Sequence, residues 1–161
     1  MEHLFAPWRM AYVSGVDLVT GCIFCAAAAG GPETLTLLRG ERVFALLNRY
    51  PYTSGHLMVA PVTHVGDLSG LDGPTIAEMM VMAQRLVGVL RDVYAPHGFN
   101  LGLNLGESAG AGVVGHVHLH LVPRWRGDTN FMSVSAGLRV LPEDLTDTYG
   151  RLRSALEGGH A

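Results

Sequence analysis

Three histidines alternate with apolar residues in one short segment of the chain. They are His116, His118 and His120, separated by Val117 and Leu119. In an extended segment successive side chains point to opposite faces, so the three imidazoles share one face and the apolar residues share the other. Neutral imidazole is a nucleophile and charged imidazole a proton donor, and neighbouring groups can fix which ring nitrogen carries the proton. The pattern therefore predicts a catalytic face rather than an exposed strand with coincidental histidines.

A second group that could do chemistry is formed by the two cysteines of the chain. Cys22 and Cys25 form a C-x-x-C unit, which is typical of a metal site or a redox pair and also arises by chance. The N-terminus lacks a basic region followed by an apolar run, and no stretch approaches the length of a membrane span. We therefore expect a cytoplasmic protein without a membrane partner, whose thiols are metal ligands or redox groups rather than a structural disulfide.

The composition is that of an apolar globular chain. Of 161 residues, 48% are hydrophobic and 16% are charged, which predicts a single domain over residues 1–161 with a substantial core. The net charge of −3 disfavours binding to a nucleic acid polymer, because a basic surface usually holds such a backbone. A small phosphate ligand is compatible with this charge, since backbone N–H groups in glycine-rich turns and at helix N-termini bind phosphate.

Apolar runs and their spacing predict the elements that position these residues. Extended apolar runs indicate strands at 42–48, 56–61, 99–105 and 116–123. Apolar residues at three- and four-residue spacing predict a helix over 74–93, and a stripe from Leu145 to Leu156 predicts a C-terminal helix that opens near Pro142. A glycine-rich loop covers 106–115. Clustered strands and few helices favour an α+β fold with an antiparallel sheet.

The histidine segment resembles the signature of the histidine triad (HIT) superfamily. Residues 44–49 and 54–59 resemble the nucleotide-binding hairpin of the Fhit-like branch, and residues 4–10 and 122–128 resemble bacterial diadenosine-tetraphosphate phosphorylases of this superfamily. The resemblance implies a HIT-like fold: an antiparallel sheet of about five strands, one long and one C-terminal helix, and a sheet that continues across a homodimer.

The resemblance also implies roles for individual residues. His118 is the expected nucleophile on the α-phosphorus, His120 is expected to contact the phosphate oxygens, and His116 completes the catalytic triad. The expected nucleotide-binding residues are Asn48 at the ribose, Asn104 at the phosphate, His56 near the site, and Ser108 and Gly112 in the glycine-rich loop. The backbone of that loop is expected to lie against the phosphates, where N–H groups stabilise developing charge.

Four positions match the zinc ligands of many bacterial histidine triad proteins. The resemblance implies a structural zinc site at Cys22, Cys25, His64 and His116, with a zinc-binding segment at about residues 1–30. Zinc prefers four tetrahedral nitrogen and sulfur ligands, and a closed site of this kind leaves no coordination position for substrate. We therefore expect zinc as a structural cofactor, and reduced thiols without metal are the alternative.

These features predict an enzyme that cleaves dinucleoside polyphosphates, with diadenosine tetraphosphate as the leading substrate. A covalent nucleotidyl-His118 intermediate would be resolved by phosphate in a phosphorylase or by water in a hydrolase. Gly112 stands where Fhit- and Hint-type members carry a glutamine that positions the leaving group or water, and some phosphorylase-type relatives lack that glutamine too. The alternatives are a Hint-like nucleoside phosphoramidate hydrolase and a non-catalytic nucleotide-binding sensor.

Overall fold

The computed structural model describes residues 21–30, 35–128 and 143–159. Regular structure in these ranges comprises α1 (Ile23–Ala28), β1 (Thr36–Arg39), β2 (Val43–Leu47), β3 (Leu57–Pro61), α2 (Gly73–Tyr94), β4 (Gly98–Leu103), β5 (Leu119–Arg124) and α3 (Leu145–Glu157). Single 3-10 turns lie at Leu68–Gly70 and Glu107–Ala109. Residues 4–10, which carry part of the family resemblance, and most of the expected zinc-binding segment lie outside the described residues.

The five strands form one antiparallel sheet in the order β1-β2-β3-β5-β4. The sheet confirms the predicted α+β class, and β2, β3 and β4 lie within two residues of their predicted bounds. The edge strand β1 was not predicted. It has only four residues, and its register shifts between Thr36 and Leu38, so it offers little periodicity to detect.

Both faces of the sheet are covered, which explains why β2 and β3 are buried at every position. One face packs against α2 and α3 through a cluster that includes Val43, Ala45, Leu47, Met79, Leu86, Leu90 and Leu152. The other face packs against α1 through Phe24, Ala27, Phe44, Leu46, Met58 and Ala60. Directly opposed residues of antiparallel strands point to the same face, and Met58 pairs with His120. The histidines therefore face α1.

The two predicted helices are present with bounds set by caps. At the start of α2 the Asp72 carboxylate accepts a hydrogen bond from the Thr75 N–H at 2.9 Å, and Pro74 lies in the first turn. In α3 the Asp144 carboxylate accepts from the Asp147 N–H at 2.9 Å, so this helix begins at Leu145 rather than near Pro142. No helix among the described residues is long and apolar enough to cross a membrane.

The histidine strand begins at Leu119, three residues later than its predicted start at residue 116. Pairing between β5 and β3 ends at Val59, opposite Leu119. The last two residues of β3, Ala60 and Pro61, pair with β2. The segment before β5 takes other partners, and the Val117 N–H donates to the Val65 carbonyl at 2.7 Å. Two of the three histidines therefore lie beside the sheet and not within its ladder.

Candidate active site and metal centre

His118 is held in the tautomer that a nucleophile requires. Its Nδ1 lies 2.8 Å from the His116 carbonyl oxygen, and because a carbonyl can only accept, Nδ1 carries the proton. The Nε2 of the neutral ring is then unprotonated and able to attack. The side chain is 4% exposed, and this burial lowers the pKa of His118, so the ring is neutral near physiological pH.

His120 has the opposite arrangement at its two nitrogens. The Tyr52 N–H donates to Nδ1 of His56 at 3.1 Å, so the proton of neutral His56 is on Nε2. This Nε2 lies 3.0 Å from Nδ1 of His120, which must accept, and the proton of His120 is therefore on its own Nε2. Burial, followed by repulsion from a charged His118, lowers the pKa of His120 to about 4. His120 is thus a neutral ring that offers an N–H donor.

The β2–β3 turn fixes His56 and Asn48, which were both expected in the site. His56 is fully buried, and the Tyr52 ring packs on it with centroids 4.7 Å apart. Asn48 Nδ2 lies 3.4 Å from His56 Nδ1, and Asn48 Oδ1 accepts from the Tyr50 N–H at 2.9 Å. A hydrogen-bonded path therefore runs from this turn to His120. The part played by Tyr52 was missed, because a backbone donor has no sequence signature.

The other expected nucleotide contacts lie between β4 and the histidines. Leu103 pairs with Leu119, so Asn104 is opposite His118 one position beyond the ladder, and it is half-buried. Ser108 is exposed in the 3-10 turn, and Gly112 is half-buried in the loop. Within the described residues, no side-chain hydrogen bond joins these three positions to the imidazoles, so their contact with a nucleotide stays a prediction.

Two cysteines and two histidines form a group that could hold a metal ion, here called the metal cluster: Cys22, Cys25, His64 and His116. Their ligand atoms all lie within 4.8 Å of one another. Three of the thiol–imidazole distances are 3.2, 3.3 and 3.7 Å. Zinc bonds of about 2.0–2.3 Å in a tetrahedron place nitrogen and sulfur ligands about 3.6 Å apart. The donor types and their spacing therefore fit zinc.

The third histidine, His116, belongs to this cluster through its ring. His116 is fully buried, and its Nε2 donates to the Pro61 carbonyl at 2.8 Å. Its Nδ1 is then unprotonated and faces the sulfurs of Cys22 and Cys25, which is the form that binds a metal. His116 therefore contacts His118 through its backbone carbonyl, while the rings of the two residues have different partners.

Phe24 connects the two sites. It lies between the two cysteines on α1 and is 1% exposed. Its ring centroid is 4.6 Å from that of His118 and 5.1 Å from that of His116. Sequence reasoning missed this contact, although the position of Phe24 between two expected metal ligands was a signal that it lies near His116.

Comparison with known proteins agrees with this geometry. A family model described as HIT domain matches residues 32–127. A Mycobacterium tuberculosis protein named AP-4-A phosphorylase is 40% identical over 157 residues, an alignment that covers 92% of this chain and 80% of that protein.

Solved structures also show the same fold. A zinc-bound histidine triad family protein from Mycobacterium smegmatis is 33% identical with a TM-score of 0.71, covering 86% of this chain and 94% of the other. A protein described as a hypothetical histidine triad nucleotide-binding protein from Sulfolobus tokodaii is 28% identical with a TM-score of 0.70, covering 85% and 93% of the two chains. The chain therefore belongs to the histidine triad (HIT) family.

Proposed function

We propose that this chain is an enzyme that cleaves dinucleoside polyphosphates and transfers the nucleotidyl group to phosphate. One observation carries the proposal: an unprotonated Nε2 on His118 lies beside an N–H donor on His120, and both rings are neutral. The nucleophile is ready without a separate base, and the donor can stabilise phosphate oxygens. The similarity to a protein named AP-4-A phosphorylase supports diadenosine tetraphosphate as the substrate.

The reaction proceeds in two displacements at the α-phosphorus. His118 Nε2 forms a phosphorus–nitrogen bond while the phosphorus–oxygen bond to the leaving nucleoside polyphosphate breaks, and the His120 N–H stabilises the charge that develops. Inorganic phosphate then attacks the nucleotidyl-histidine, the phosphorus–nitrogen bond breaks, and a nucleoside diphosphate leaves. In the nucleotide complex, Asn48 contacts the ribose, His56 supports His120, and Asn104, Ser108 and Gly112 lie along the phosphates.

Phosphate is favoured over water as the final acceptor because Gly112 offers no side chain to hold a water molecule. The test is turnover of diadenosine tetraphosphate with and without inorganic phosphate, with products separated by chromatography. ATP and ADP that form only with phosphate indicate a phosphorylase, whereas ATP and AMP in both conditions indicate a hydrolase. His118→Ala should abolish either reaction. A matched control is His97→Ala, since His97 is an exposed histidine whose Nδ1, within the described part of the chain, accepts the backbone N–H of Arg126.

Other outcomes would favour other functions. Preferential turnover of an adenosine phosphoramidate would favour a Hint-like hydrolase. Binding of AMP without turnover of either substrate, together with biological activity in His118→Ala, would favour a nucleotide sensor.

The cofactor, assembly and location are further parts of the proposal. Zinc in the metal cluster has a structural role, because four protein ligands leave no position for substrate, and metal analysis of the purified protein tests its presence.

A homodimer in which the sheet continues is supported by the edge strand β4, on which Leu101 is 44% exposed. Light scattering of the wild type and of Leu101→Lys tests it. We also propose a cytoplasmic location, where the thiols stay reduced.

A further inference from the structure

The nucleophilic histidine lies outside the ladder that orders the rest of its strand. β5 begins at Leu119, which pairs with both β3 and β4. His118 therefore lies one position before the paired region. Its Nδ1–H is oriented by the carbonyl of His116, two residues farther from the sheet. Strand pairing therefore does not fix this carbonyl. The peptide that carries it is held in part by the Val117 N–H, which donates to the Val65 carbonyl at 2.7 Å.

The His116 side chain supplies further contacts that hold the same residue. Its Nε2 donates to the Pro61 carbonyl at 2.8 Å, and its Nδ1 lies 3.3 Å from the Cys22 sulfur and 3.7 Å from the Cys25 sulfur. The residue is fully buried. His116 therefore belongs to the metal cluster through its ring and contacts His118 through its carbonyl, so holding the ring also restrains the backbone that carries this carbonyl.

The short helix α1 adds a second contact from the same cluster. A helix of six residues is not stable by itself, so its position depends on tertiary contacts. These include the thiols near His64 and His116 and the Arg39 guanidinium on the Ala28 carbonyl at 2.8 Å. Fixing the two cysteines also fixes Phe24, whose buried ring packs on the His118 imidazole.

We propose that the metal cluster positions the nucleophile, through the His116 carbonyl and the Phe24 ring. This inference rests on the proposed function in taking His118 as the nucleophile. The cluster residues form no bond to the substrate. They keep the His118 proton on Nδ1 and the ring plane fixed, so that Nε2 stays unprotonated and aligned. Loss of the cluster therefore lowers the rate of the chemical step and leaves nucleotide affinity nearly unchanged.

The sharpest test removes the ligand that is most distant from the chemistry. His64 is exposed, and its described contacts are with Cys25 and His116. In His64→Ala we expect loss of bound zinc, a kcat lower by about 10-fold and a KM within about twofold of the wild type, as for other residues that orient a reacting group. Nitrogen-15 NMR of the imidazoles should show His118 as a mixture of tautomers, whereas the wild type has one.

Two variants separate positioning from general damage. His64→Cys restores a fourth zinc ligand and should recover the bound metal, the kcat and the single tautomer. His97→Ala removes an exposed histidine elsewhere and should change none of these. If His64→Ala loses the metal while the kcat and the His118 tautomer stay as in the wild type, the inference is wrong.

A second variant keeps the inference testable if His64→Ala does not fold. Phe24→Leu retains all four ligands and should keep the metal, while the kcat falls and the His118 tautomers mix; an unchanged kcat and tautomer would overturn the role of the Phe24 ring. The NMR measurement needs no substrate. A wild type that turns over no nucleotide would therefore refute the proposed function, and the tautomer of His118 would still decide the positioning inference.

Discussion

Replacing His56 with phenylalanine is expected to slow nucleotidyl transfer by about 10- to 100-fold, the usual cost of losing a group that orients a catalytic residue. In the wild type the Tyr52 N–H occupies Nδ1 of His56, and the proton on Nε2 of His56 is directed at Nδ1 of His120. Phenylalanine keeps a buried ring against Tyr52 but offers neither group. Nδ1 of His120 then has no donor, so the His120 proton can move there and leave Nε2 without a hydrogen for the phosphate.

The effect on stability follows from the same contacts. The fully buried His56 side chain loses its two shorter hydrogen bonds, with the Tyr52 N–H and with His120, and the longer contact with the Asn48 amide. Each of the two shorter bonds contributes about 0.5–1.5 kcal/mol net. The free energy of unfolding should therefore fall by about 1–3 kcal/mol, partly offset by the apolar ring. Activity and stability must then be separated by a control that loses a hydrogen bond in the same turn without touching an imidazole.

Thr53→Val provides that control. The Thr53 hydroxyl is buried and donates to the Pro123 carbonyl at 2.9 Å, and valine has nearly the same shape. We expect it to lose about 1 kcal/mol of unfolding free energy with no change in rate. The assay is a rapid-quench measurement of ATP release from diadenosine tetraphosphate in a single turnover, beside denaturant unfolding and nitrogen-15 NMR of His120.

The reasoning is refuted if His56→Phe reacts at the wild-type rate while its His120 proton remains on Nε2. A rate loss of equal size in Thr53→Val would also refute it, because the slower reaction would then follow from a loosened turn and not from the proton position.

Three more predictions concern stability. Burial lowers the pKa of His118, and it lowers the pKa of His120 to about 4. Below about pH 6.5 the unfolded chain therefore binds protons that these folded rings do not, and the free energy of unfolding should fall. Urea denaturation should show a loss of about 2 kcal/mol from His120 at about pH 5. Chelation of zinc from the metal cluster should lower the thermal midpoint by several degrees, and zinc but not magnesium should restore it. Arg39→Met removes the guanidinium from the carbonyls of Ala27 and Ala28 and should cost about 1 kcal/mol and weaken zinc binding in a competition titration.

The long elements could be predicted from sequence because local chemistry determines them. The apolar spacing of α2 continues for 22 residues, and Asp72 and Pro74 begin it as a cap and a first-turn proline. The clustering of imidazoles could also be predicted, because the alternation places His118 and His120 on one face of their segment, and their ring centroids lie 4.8 Å apart.

The remaining features depend on contacts between distant parts of the chain. α1 is six residues long, and β1 is four, so each is too short for a periodic pattern to be recognised. The start of β5 depends on where β3 stops pairing with it. The hydrogen bond from His56 to His120 joins residues 64 positions apart, and no local pattern records which nitrogen donates.

Two separate contacts place the protons of His118 and His120 on opposite ring nitrogens, and the proposed reaction then has a defined pH dependence. The His116 carbonyl places the proton of His118 on Nδ1, and His56 places the proton of His120 on Nε2. Both rings are neutral because burial lowers their pKa, so the free enzyme needs no charged imidazole. We expect kcat/KM to be constant from about pH 6.5 to about pH 8 and to fall only at lower pH, where the nucleophile is protonated. A value that rises as the pH is lowered through about 6.5 would show that an imidazolium is the acid, and would contradict the proton positions derived from these hydrogen bonds.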